Sequence, residues 1–277
     1  MIFPLPWKLK RPGSLIPVFF LSLSPLSGQM GGVACSTTAL GGTFVTRQGP
    51  CLAMQNQAGL GTVEDRSLSL QHSRPFLIRD LGISSLSYQC AMSHGALGVT
   101  FIHAGISGYS QSSVWIAYGI NIAESGTAGV GIHGWTHSIS ERWFHHPGIS
   151  FAAGIQWKIR EKIHWGIHLA HPLGWQSGLS GKHALPMKIA MGIGLDLGNG
   201  TTLYLETHST TGRALQWLAG LEWKVRHGIY LQLGLQPGPI ALSGGLTFQH
   251  HGWNLQTAFV YGLENGGSPA TALTYVW

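Results

Sequence analysis

The sequence predicts an all-β protein, a transmembrane antiparallel β-barrel of about 14 strands. Three observations predict it. Only 9% of the 277 residues are charged, against about 25% in a soluble globular domain, so charge cannot solvate a surface of this size. Past residue 30 no run approaches the roughly 20 apolar residues that a spanning helix needs, because Gly, His, Gln or Ser breaks every apolar stretch. From about residue 66 the chain alternates apolar residues with small or polar ones at period two, which marks strands with two different faces. In lipid, an apolar chain without a spanning helix satisfies its backbone only as a closed barrel.

The segments that precede the ladder are of another kind. Lys8, Lys10 and Arg11 form a basic start, Leu15 to Leu26 an apolar middle, and Ser27-Gly28 a small-residue end. Residues 1–28 therefore have the layout of a secretory signal peptide. Residues 29–62 then form a separate N-terminal segment and 63–277 the barrel. Loss of the signal removes three basic residues and lowers the formal net charge from +6 to +3, which gives nucleic acid no basic face to bind. Export to an oxidising compartment permits disulfides. Cys35 and Cys51 either bridge or pack as small apolar residues, and Cys90 makes the count odd. A lipid anchor on Cys35 is a rival reading that Gly32-Val33-Ala34 fits poorly.

Fourteen strands are expected, at 66–72, 83–91, 95–104, 113–123, 127–138, 148–160, 161–171, 185–197, 201–208, 213–225, 228–236, 239–249, 252–262 and 267–277. The first three alternate most weakly. In 161–171, Ile163, Trp165, Ile167 and Leu169 oppose His164, Gly166, His168 and Ala170. In 185–197, Met187, Ile189, Met191, Ile193, Leu195 and Leu197 oppose Lys188, Ala190, Gly192, Gly194 and Asp196. Leu215, Trp217, Ala219, Leu221, Trp223 and Val225 share one face of the tenth, and Ile229, Leu231, Leu233 and Leu235 one face of the next. A soluble sandwich would turn the apolar face inward and leave Gly, Ala, Gln and His facing water. Lipid outside and a polar lumen inside fit better.

The connections give an independent check. Those after even strands are short, as at Ser93-His94, Glu124-Ser125-Gly126, Gly198-Asn199-Gly200, Arg226-His227 and His250-His251. Several after odd strands are longer, at 73–82, 104–112, 138–147 and 172–184. Short periplasmic turns and longer outer loops are the rule in outer-membrane barrels, which places both chain ends in the periplasm. Tyr275 and Trp277 end the chain with outward aromatics, either an assembly signal or members of an interfacial aromatic girdle.

Within residues 29–62, Ala39-Leu40-Gly41-Gly42-Thr43-Phe44-Val45 resembles the A-[LM]-G-G-A-[FY]-V opening of the PorV/PorQ-type and FadL-like outer-membrane proteins. Asn56-Gln57-Ala58-Gly59-Leu60 resembles their N-P-A-G-L motif at a similar spacing, with Gln57 where Pro is usual. The resemblance implies a bacterial outer-membrane barrel of the Bacteroidota type whose N-terminal segment folds into the lumen as a hatch. It implies seating roles for Gly41, Gly42, Asn56, Ala58, Gly59 and Leu60. Glycines at 119, 131, 154, 166, 192, 194, 220 and 234 in the lumen phase would leave room for such a plug.

Candidate chemistry is sparse. Among 15 histidines, His133, His137, His164, His168 and His208 fall in the lumen phase. Members of the pairs 133/137 and 164/168 are four residues apart, about 13 Å along a strand, too far to hold one metal. They read as a polar lining that hydrogen-bonds the hatch. His145-His146 and His250-His251 fall in loop and turn positions, and no nucleophile elbow is present. No enzyme activity, cofactor or metal is expected. Lys158, Arg160, Lys188, Asp196, Glu206, Glu222 and Lys224 read as an interior that pairs across strands near the periplasmic end.

Two functions remain. One is a non-enzymatic subunit docked on outer-membrane protein partners, as in type IX secretion. The other is a FadL-like transporter of a hydrophobic ligand. A break in strand pairing would argue for transport, and a continuous seal with an exposed apolar patch for docking. Membrane lipid is a partner in either case.

Overall fold

Alternation becomes a wall in the computed structural model, which describes residues 34–106, 109–139, 144–176, 185–264 and 266–277. The strands are β1 (Ser67–Ser73), β2 (Ile83–Met92), β3 (Gly95–Ile106), β4 (Tyr109–Ala123), β5 (Gly126–Ile139), β6 (Phe144–Arg160), β7 (Ile163–Gln176), β8 (Lys188–Gly198), β9 (Thr201–Thr210), β10 (Gln216–Arg226), β11 (Ile229–Pro237), β12 (Ile240–His250), β13 (Trp253–Gly262) and β14 (Gly266–Val276). Each pairs antiparallel with its neighbours in sequence, and β1 closes the barrel on β14 from Ser67 opposite Val276 to Ser73 opposite Ala270. Closure of β1 on β14 leaves neither terminal strand as a free sheet edge.

The faces divide as the alternation requires. On β1, Ser67, Ser69 and Gln71 are buried while Leu68 and Leu70 are exposed. The same phase puts Ile132, Phe151, Leu205, Leu233, Leu246 and Phe259 on the outside. Aromatic side chains gather on the outer face at the turn end, where Trp253 and Tyr275 meet at 4.7 Å between ring centres and Tyr275 and Trp277 at 5.7 Å. Trp157 and Trp165, paired across β6 and β7, belong to the same end. Tyr275 and Trp277 thus sit in a girdle of rings.

Turn chemistry finishes the short connections. At Gly198-Asn199-Gly200 all three residues have positive φ, a geometry that Gly adopts freely and Asn tolerates. Register shifts near the turn ends of β4, β6, β8 and β10 add a residue to one strand and increase local twist.

The structure corrects several boundaries on the loop side. β4 begins at Tyr109 and β6 at Phe144, so the expected connections 104–112 and 138–147 are largely strand. His145 and His146 are in the ladder, opposite Ser138 and His137, and not in a loop. β7 continues to Gln176, past the expected end at 171. In each case backbone pairing with a neighbour carries the strand beyond the point where side-chain alternation fades. The signal-peptide expectation for residues 1–28 lies outside the described residues.

β7 also carries a break. Ser150 pairs with Gly174 but Ala152 with Ala170, so His171, Pro172 and Leu173 all stand opposite Phe151 alone. His171 adopts φ +57°, the left-handed region. On the other side of β7, pairing with β8 stops at Ala170 opposite Lys188. Among the described residues nothing on β8 pairs with 171–176, and Leu173 and Met187 flank that unpaired edge as exposed apolar side chains.

Candidate functional site

The residues before β1 lie against the inner face of the barrel. The segment consists of one helical turn at Cys35–Ala39 and two 3-10 turns at Leu52–Met54 and Gln57–Thr62. Leu40, Leu52 and Leu60 are fully buried. Inward glycines make the fit. A Cβ on Gly129 would stand 2.3 Å from the Gln57 carbonyl, one on Gly154 1.9 Å from Asn56 Oδ1, and one on Gly234 2.0 Å from the Gly41 amide. Gly41 itself needs φ +68° and leaves no room for a side chain beside Leu235. Seven of the eight lumen-phase glycines named above face this segment, and Gly192 faces Glu206 on the adjacent strand.

Polar side chains of the wall satisfy its irregular backbone. Glu206 Oε1 accepts the amides of Phe44 at 2.8 Å and Val45 at 2.7 Å, while Oε2 contacts His208 Nε2 at 2.9 Å. Gln156 Nε2 donates to the Val45 carbonyl at 2.7 Å, and Gln89 Oε1 accepts the Leu52 amide at 3.0 Å. Arg47 reaches Glu222 at 3.1 Å, and Glu222 continues through Gln232 to Gln256. The Gln71 carboxamide accepts from the Cys35 amide and donates to Cys51 Sγ. All three cysteines are free thiols, with Cys35 and Cys51 buried.

The six residues of the two motifs all lie in this interface. Asn56 Nδ2 donates to the Val45 carbonyl at 2.7 Å and its Oδ1 caps the following turn at the Ala58 amide, 3.2 Å away. It ties the two motifs together. Gln57, in the usual Pro position, donates back to the carbonyls of Ala53 and Gln55. Leu60 packs where Gly98 has no side chain.

The charged interior differs from its expectation. Glu222 and Glu206 engage the N-terminal segment and His208 rather than strand lysines. Among the described residues no ion pair joins two of the seven inward charges named above. Lys188 and Glu206 lie mid-barrel or toward the loops, away from the turn end.

Histidines His133, His168 and His208 are buried on the inner face, His137 is partly buried on the same face, and His164 is exposed at its turn end. Among the described residues no group of three metal-ligating side chains forms. One inward rung beyond the glycines that seat the segment, the wall changes character. Past Gly131 stands His133, its ring stacked on Trp115 at 4.0 Å and 9°. Trp135 lies 5.0 Å from His133, and His171 lies 5.4 Å from it. Past Gly166 stands His168, edge-on to Phe44 at 5.4 Å, with Lys188 Nζ 5.4 Å from the Phe44 ring centre. His171 Nδ1 meets Ser150 Oγ at 2.6 Å. Among the described residues, both ring nitrogens of His133 and His168 and the indole nitrogens of Trp115 and Trp135 have no hydrogen-bond partner. Each such buried group costs about 1–3 kcal/mol.

Phe44, Trp115, Trp135, His171 and Lys188 were missed as members of one belt. A signal existed for the tryptophans: each stands an even number of residues from a lumen-phase glycine on its own strand, Trp115 from Gly119 and Trp135 from Gly131.

No family profile and no curated protein matches the chain. Solved structures do match in fold. The toluene transporter TbuX of Ralstonia pickettii superimposes with a TM-score of 0.65 at 11% identity, over 90% of this chain and 98% of that one. The monoaromatic hydrocarbon channel CymD gives 0.68 at 13% identity, over 88% and 97%. A Pseudomonas aeruginosa FadL homologue gives 0.56 at 9% identity, over 88% and 97%.

Proposed function

We propose that this chain is an outer-membrane barrel that passes small hydrophobic or amphipathic molecules, with residues 34–62 as the hatch that closes its lumen. The observation that carries the reading is the pairing break on β7. The ladder ends at Ala170 opposite Lys188, next to the aromatic belt. Apolar Leu173 and Met187 flank the break outside and His171 lies within. A molecule that reaches the lumen through the wall need not displace the segment packed below it. The apolar outer face with its ring of tryptophan and tyrosine suits lipid on both sides of the break. That the similar folds include hydrocarbon channels supports the same reading.

The docking-subunit reading, as in type IX secretion, finds no support in these comparisons. It called for an unbroken seal, and β7 is broken.

The test is uptake of a hydrophobic fluorophore, 1-N-phenylnaphthylamine, by intact Gram-negative cells that express the protein. Uptake accelerates with expression. It falls when cysteines placed at Leu173 and Met187 are joined by a flexible bis-maleimide across the break. Uptake at the rate of non-expressing cells overturns the transport reading. Stoichiometric capture of a protein partner in detergent would then favour docking.

A further inference from the structure

We infer that the aromatic belt beyond the hatch is a binding site for an aromatic carboxylate, a flat ring bearing one anionic oxygen pair. The inference rests on the transport reading and names its substrate class. Its members are Phe44, Trp115, His133, Trp135, His168 and Lys188. Two arms meet on β7. One runs from Trp115 and Trp135 through His133 to His171, and the other from His168 through Phe44 to Lys188.

The hydrogen-bonding inventory sets the ligand's polar end. Six ring nitrogens in this belt are buried without a partner among the described residues. Two are indole N–H groups, which only donate. Each imidazole offers at least one N–H whatever its tautomer. Lys188 adds an ammonium 5.4 Å from the centre of the Phe44 ring. Donors outnumber acceptors and one cation lies among them, so the complementary group is an anionic acceptor. The charges that face Lys188 are Glu206 and Arg213. Glu206 does not supply that acceptor to the belt, because its two oxygens already hold the Phe44 and Val45 amides and His208. Arg213 adds a second positive charge.

Ring faces set the apolar end. Phe44 and Trp115 are planar, inward and almost fully buried. Aromatic pairs favour offset or edge-on contact, as Phe44 already makes with His168. A hydrocarbon satisfies these faces but leaves the nitrogens unpaired. A site with buried donors discriminates strongly against a ligand that lacks the acceptor.

The test uses the full-length protein in detergent, with equilibrium dialysis of benzoate and of toluene as separate probes. Benzoate binds saturably to the parent protein. Lys188→Met weakens benzoate by about tenfold or more and leaves toluene unchanged, and Lys188→Arg restores benzoate. Heat-modifiable migration on gels checks that each variant is folded. Toluene binding without benzoate binding, or equal benzoate binding by the parent and Lys188→Met, overturns the carboxylate site and leaves the transport reading standing. Failure of both probes together with unchanged fluorophore uptake overturns transport itself, and the site with it.

Discussion

Glu206 holds Phe44 in place through the main chain: one carboxylate oxygen, buried mid-barrel on β9, accepts the Phe44 amide at 2.8 Å and the next amide, of Val45, at 2.7 Å. Two donors of an irregular segment thus share one side-chain acceptor on a rigid strand. Glu206→Ala leaves both amides buried and unpaired, at about 2–4 kcal/mol. The barrel itself retains its pairing, because the ladder of β9 with β8 and β10 does not use this side chain. The expected outcome is a folded, heat-modifiable barrel whose residues 34–62 become sensitive to added protease. Resistance equal to that of the parent would show that the carboxylate does not seat the segment.

Glycines on the inner wall give a steric version of the same experiment. A Cβ at Gly129 would stand 2.3 Å from the Gln57 carbonyl carbon, which is backbone and cannot rotate away. Gly134, on the outer face of the same strand, has nothing within 4 Å of its Cβ position. Gly129→Ala is expected to displace the segment at about 1–3 kcal/mol and to raise single-channel conductance in planar bilayers. Gly134→Ala leaves conductance at the parental value. Equal conductance of the two variants would argue that the segment does not close the lumen.

The barrel was legible because its signal is local. Ile229, Leu231, Leu233 and Leu235 announce an outward face without reference to any other strand. The two motifs likewise set residues 29–62 apart from the strand ladder in the sequence. What stayed hidden depends on pairs that only the closed barrel brings together. Glu206 reads in sequence as one of several charges, and its partners are 161 and 162 residues away. The extension of β6 back to Phe144 is fixed by backbone pairing to β5, which composition does not record. The belt joins Phe44 from the segment to side chains on several strands, a coincidence of registers with no trace in any one of them.

The thiols supply a test that separates a bridge from a packed pair. Burial pushes the Cys35 thiol up to about 12 and the Cys51 thiol up to about 11, from an ordinary value of about 8.5. The reactive thiolate is therefore scarce in the folded protein. N-ethylmaleimide at about pH 8 is expected to leave both unlabelled while the fold persists, and to label both on unfolding without reductant. Mass spectrometry of the peptides reads the result, and a disulfide would keep both unlabelled after unfolding. Because both values are raised in the fold, this seat is fully stable below about pH 8.5 and loses stability as pH climbs toward 11 and 12.

The outer face makes the final prediction, because lipid and water rank a lysine there in opposite order. Ile132 lies mid-strand on β5 and is exposed, and Val225 is equally exposed one residue from the turn end of β10. On a soluble barrel both positions accept Lys at little cost, since surface substitutions usually stay within about 0.5 kcal/mol. In a bilayer the cost depends on depth, about 2–4 kcal/mol near the midplane and about 0–1 near the interface. Ile132→Lys is therefore expected to lower stability well below that of Val225→Lys when the protein is unfolded by urea from lipid vesicles. Equal, small effects at both positions would mean that this apolar face does not meet lipid. The depth dependence, and not exposure alone, carries the test, because the two side chains are alike in their freedom from protein contact.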